Sequence, residues 1–109
     1  MSDDNLSWAD RYRIQGEVWA DAEAAAQLLE DCKSSVMAER QVQFGADLPV
    51  NRAEQLVKSS PEWREYLTNC VDARKKANLA KINLEAVRIG FLCWQANDAN
   101  ERTERRLTT

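Results

Sequence analysis

Apolar residues along this chain recur at alternating steps of three and four, the spacing that returns side chains to one side of an α-helix. The longest such pattern opens after Ser60-Pro61 and runs to Arg106, with no internal proline and one glycine, Gly90. Its heptad a and d positions are Trp63 and Tyr66, Cys70 and Ala73, Ala77 and Ala80, Leu84 and Val87, then Phe91 and Trp94. A seam sustained over five heptads predicts a helix across residues 61–105 that packs lengthwise against another helix. Proline at the first helical position has no amide hydrogen to satisfy, and Ser60 before it can cap the free amides that follow. Ser59 with Glu62 offers a competing capping box one residue earlier.

The same segment carries a second stripe, Leu79, Ile82, Ala86, Ile89, Cys93 and Ala96, on another side. One partner helix cannot bury both stripes. From about residue 79 to 96 the helix therefore needs a third helix, a second copy of the chain or another protein as cover.

The first half follows the same grammar. Ser7 and Asp10 form a capping box, and a helix is predicted over residues 8–44, ended by Gly45 where a positive φ is wanted. Its seam reads Val18, Ala22, Ala25, Leu29, Cys32 and Val36, extended by Ile14, with Trp8, Tyr12 and Trp19 to one flank and Met37 and Phe44 near its far end. Gly16 and Ser34-Ser35 are points where it can bend. Leu48-Pro49 turns the chain, and Asn51 with Glu54 starts a short helix over residues 52–58. Leu48, Val50 and Leu56 are expected to plug the end of a hairpin against Phe44 and Trp63.

Folding the long helices back across this connection predicts facing residues whose numbers total about 105, a register taken from the turn alone. Ala25 then meets Ala80, Val36 the neighbourhood of Cys70, Val18 meets Val87, and Ile14 meets Phe91. Alanines at 22, 24, 25 and 26 oppose Ala73, Ala77 and Ala80, so the middle can close tightly while aromatics widen the ends. The expected architecture is all-α: one domain spanning residues 1–109, an antiparallel long-helix hairpin with a short helix at the turn. The second stripe would dimerise it into a four-helix bundle.

Charge fits that pairing. Residues 1–57 hold eleven acidic and five basic side chains, and residues 58–109 hold ten basic and seven acidic. Arg74, Lys81 and Arg88 flank the seam, within reach of Asp21, Glu23, Glu30 or Asp31 on the opposing helix. Across 109 residues there are three glycines, two prolines and no histidine. Without histidine the usual general base, the usual zinc ligand and every Ser-His or Cys-His pair are absent. Cys32, Cys70 and Cys93 are widely spaced, odd in number and without metal-ligand spacing, so they read as buried, reduced thiols on apolar stripes. The carboxylates Asp21, Glu23, Glu30 and Asp31 spread around their helix, a solvated face rather than a magnesium site, and Lys75-Lys76 reads as an exposed pair. No catalytic residue, metal or cofactor is expected. The acidic, polar start and the lack of a long apolar run point to a cytoplasmic protein with no membrane association.

Two binding readings stay open. The second stripe suits self-association as a dimer or docking of a protein partner. Alternatively, Trp8, Arg11, Arg13, Trp94, Arg102, Arg105 and Arg106 gather at one end of the hairpin, near Trp19, and could stack on and neutralise a single-stranded nucleic acid. Against that reading, heptad tryptophans are commonly core, arginines near a helix C-terminus complement its dipole, and the net charge is −3 with Asp3-Asp4 at the start.

The run Ser60-Pro61-Glu62-Trp63-Arg64-Glu65-Tyr66-Leu67, the Ala-rich basic middle, Phe91-Leu92-Cys93-Trp94-Gln95 and the tail Arg102-Thr103-Glu104-Arg105-Arg106-Leu107 resemble small helical accessory proteins of tailed phages and prophages. Genes for such proteins often lie in early regions near single-strand annealing and single-strand-binding genes. The resemblance covers the second half of the chain and implies a setting rather than a reaction: non-enzymatic accessory work in phage DNA metabolism, or binding of a host protein in the host cytoplasm.

Overall fold

Each long helix begins where its sequence can satisfy its first free amides. In the computed structural model, which describes residues 6–108, the Ser7 hydroxyl accepts a hydrogen bond from the Asp10 amide at 3.1 Å, and α1 runs from Trp8 to Asp31. The Ser60 hydroxyl accepts one from the Trp63 amide at 3.3 Å and donates to the Val57 carbonyl at 2.6 Å. Helix α4 then runs from Pro61 to Thr108, 48 residues, with Ser60 rather than Ser59 as its cap. Between them lie α2 (Lys33–Phe44) and α3 (Val50–Lys58), and no strand occurs among the described residues.

The expected helix over residues 8–44 is thus two helices. Cys32, at φ −84° and ψ −3°, separates α1 from α2, two residues before the expected weak point at Ser34. The Cys32 amide still donates to Leu28 and the Val36 amide to Cys32, so the ladder continues across a change in pitch. Gly45 ends α2 with φ 136°, a conformation side chains resist, and its amide returns to the Val42 carbonyl.

Helix α3 starts at Val50, nearer the proline than expected. Pro49 occupies the cap position and no side chain caps it, so the Asn51–Glu54 capping box does not form. Its buried residues are Ala53 and Val57, with Leu56 half-buried, whereas Val50 is exposed. The plug expected from Leu48, Val50 and Leu56 is therefore made by a different face. Leu48 packs instead beside Gly45.

Two compact units divide the described chain. One comprises residues 21–77 and the other the chain up to Ala20 together with Asn78 onward. In the first, α2 packs on α3, Arg74 reaches back to Glu23 and Glu30, and the Tyr66 hydroxyl donates to the Leu29 carbonyl. Its core holds Ala22, Ala26, Ala53, Val57, Trp63 and Ala77, with Tyr66 stacked beside Trp63 at 5.5 Å. In the second, Trp8 meets Phe91, Gly16 approaches Leu84 and Lys81 lies over the Trp19 ring. Within each unit, later residues of α1 meet earlier residues of α4, an antiparallel sense.

The register in this second unit differs from the expected one: Phe91 meets Trp8, not Ile14, and the contacting pairs have numbers totalling 98 to 100. The turn does not sit symmetrically between the long helices. Helix α3 folds back along α2, and the groove at Trp63 and Leu67 is shared with Lys33 and Met37, so α4 begins opposite the start of α2 rather than its end.

The buried line of α1 is also rotated. Ala22 is buried as expected, but Ala26 replaces Ala25, and Trp19 turns inward while Val18 is exposed. A line through Trp8, Trp19, Ala22, Ala26 and Leu29 removes two indole rings from water in exchange for one valine, which favours it. On α4 the expected seam holds, with Trp63, Ala77, Ala80 and Leu84 buried and Tyr66, Cys70, Ala73, Val87 and Phe91 half-buried. Trp94, at its end, is exposed.

Candidate interaction surface on the long helix

At 3.6 residues per turn, the residues of the second stripe point about half a turn away from the seam of Ala77, Ala80, Leu84, Val87 and Phe91. That places them on the back of α4, away from the segment of α1 in the same unit. Leu79 is 51%, Ile82 61% and Ile89 52% exposed, and Ala86, Cys93 and Ala96 are exposed with them. The structure brings all six expected residues onto one continuous strip of regular helix. Leu92, half-exposed, widens it on one side.

The flanks of the strip carry little charge. Asn78, Asn83 and Asn97 line it, and its one carboxylate, Glu85, is held by Arg88 of the next turn at 2.8 Å. Arg88 therefore does not reach the carboxylates of α1 as expected, and Lys81 covers the Trp19 ring at 6.0 Å. Only Arg74 makes the expected cross-helix pairing. It donates to Glu23 at 2.7 Å and to both oxygens of Glu30 at 2.8 Å. These hydrogen bonds hold the Glu30 carboxyl below its ordinary range and push the Arg74 guanidinium above its own. Burial, followed by the neighbouring Cys70 thiol, raises the Tyr66 phenol.

None of the three thiols is fully buried. Cys32 and Cys70 are half-buried and Cys93 is exposed, because the stripe that carries it has no cover within a single chain. Among the described residues no group of three or more His, Cys, Asp or Glu converges on a common point. Glu23 and Glu30 are engaged by Arg74, and Asp31 accepts from Gln27 at 2.9 Å.

The residues considered for nucleic-acid binding are partly gathered. Phe91 lies 6.2 Å from both Trp8 and Trp94, joining the three rings, and Arg11 sits over the Trp8 face at 4.9 Å. Trp8 is thereby closed by Arg11 on its face and by Gly90 at its edge, while Trp94 is half-exposed. The other arginines are engaged along their own helices: Arg13 with Asp10 and Glu17, Arg102 with Asp98, Arg105 with Glu101. Arg106 stands exposed in the last turn of α4. Asp3-Asp4 lie outside the described residues.

Sequence reasoning missed the role of Gly90. A Cβ there would meet the Trp8 ring at 3.1 and 3.2 Å, so the glycine is what lets the indole lie against α4. The signal was present as the lone glycine of a long helix opposite a tryptophan-rich segment. Also unforeseen is the apolar cleft of about 380 Å³ that Trp8, Ala9 and Tyr12 form with Val87 and Phe91.

No helix among the described residues is long and apolar enough to cross a membrane. In comparisons with known proteins the chain matches no protein-family model, no curated protein and no solved structure.

Proposed function

We propose that this protein is a non-enzymatic interaction module, a helical hairpin that self-associates through the back of α4 and presents the resulting assembly to a protein partner. The exposed strip from Leu79 to Ala96 carries this reading. A monomer has no use for three large aliphatic side chains half-exposed in a row on regular helix. Pairing removes them from water, at roughly 25 cal/mol for each Å² of apolar surface covered. With the strip opposite the α1 seam, the two copies of α4 would lie at the centre of a four-helix arrangement. The setting implied by the resemblance of the second half is cytoplasmic accessory work in phage DNA metabolism.

Ile82→Asp and Ile89→Asp test this directly. Each is expected to convert the assembly to monomer in sedimentation while leaving far-ultraviolet circular dichroism unchanged, because neither side chain contributes to the seam. Unchanged mass in both variants would defeat the proposal.

A second reading has one observation behind it: Trp94, half-exposed and stacked on Phe91, offers an aromatic surface near Arg102 and Arg105. Its arginines already hold carboxylates, so binding of single-stranded nucleic acid would have to displace Asp98 and Glu101. Reversing the charge of Arg102, Arg105 and Arg106 would abolish a salt-sensitive mobility shift if this reading holds.

A further inference from the structure

Resting on the self-association just proposed, we infer that the second copy lies antiparallel on the first, with the two-fold axis passing between the two copies of α4 at the level of Val87 and Arg88. The sizes along the strip carry the inference. A two-fold interface must be complementary to itself. In the antiparallel register Leu79 faces the partner's Ala96, Ile82 faces the partner's Cys93, and Ala86 faces the partner's Ile89. Every layer then sets a large side chain against a small one, the condition for an even interhelical distance. A parallel, in-register pair would place Ala86 on Ala86 between layers of paired isoleucines, and Cys93 and Ala96 on their own copies beyond Ile89. The helices would be held apart by the large layers and leave voids at the small ones.

Cysteine crosslinking decides the orientation. Starting from a full-length Cys32→Ala, Cys70→Ala protein that retains Cys93, mild oxidation should give no crosslinked dimer, because Cys93 faces Ile82 of the other copy. Adding Ile82→Cys should give a dimer joined by disulfides from the introduced thiol of one copy to Cys93 of the other, identified by non-reducing mass spectrometry of peptides. Positions 82 and 93 of one chain are about 16 Å apart on a helix, beyond disulfide reach, so such a bond joins two copies. Sedimentation of the unmodified protein separates the outcomes. A monomer removes the self-association and this inference with it. A dimer that crosslinks Cys93 to Cys93, or that fails to join positions 82 and 93, leaves self-association standing and overturns the antiparallel register.

Discussion

Single residues decide which face of a helix is buried, and alanine is the clearest reporter because it fits where nothing else does. Ala26 has no exposed surface, whereas Ala25 beside it is exposed. Ala26→Leu should therefore overpack the interior and cost about 1–3 kcal/mol, while Ala25→Leu should stay within about 0.5 kcal/mol, both read from urea denaturation. Equal costs would mean that the inward face of α1 is wrongly assigned. Arg74 makes a different residue-scale argument. Its hydrogen bonds depress the folded pKa of Glu30, so the stability they contribute is present above the ordinary carboxylate range and is lost as pH falls through the folded value. Because all three side chains are partly exposed, solvent screens the effect. Arg74→Met should lower the melting temperature at neutral pH and narrow the gap to the parent protein below the carboxylate range. A constant gap from neutral to acid would rule out the ionic contribution.

At the scale of elements, capping separates helices specified by their own sequence from those specified by packing. The capping residues Ser7 and Ser60 were legible because a hydroxyl followed by free amides meets a local need. Asn51 satisfies the same local pattern and yet caps nothing, since Pro49 fixes the entry to α3 and moves its start to Val50. Ser60→Ala should thus cost about 1 kcal/mol, and Asn51→Ala almost nothing. Thermal unfolding of the two variants gives the comparison, and a sizeable loss at Asn51 would contradict the observed start of α3. The break at Cys32 and the rotation of α1 escaped the sequence for the same reason in reverse. Both depend on where Trp8 and Trp19 meet α4 and where Tyr66 of α4 reaches the Leu29 carbonyl, and heptad spacing alone cannot weigh an indole against a valine beside it.

For the whole molecule, helical class and the α4 seam could be read from periodicity, but the register could not: Phe91 meets Trp8 rather than Ile14, and periodicity alone carries no information on which turn of α1 faces which turn of α4. All six residues of the second stripe stand on one exposed face, since a long helix without proline keeps its spacing over many turns. What the chain does with that face is testable through its own thiols. Cys93 is exposed in the single chain, while Cys32 and Cys70 are half-buried away from the strip. If two copies pair through the strip, Cys93 is covered in the dimer and reacts with iodoacetamide only from the monomer. Its alkylation rate should then fall as protein concentration rises, in proportion to the monomer fraction, and the rates at Cys32 and Cys70 should not change. In Ile82→Asp the concentration dependence at Cys93 should vanish. A Cys93 rate that stays constant across concentrations spanning the assembly transition would show that the assembly, whatever its mass, leaves the back of α4 open to solvent.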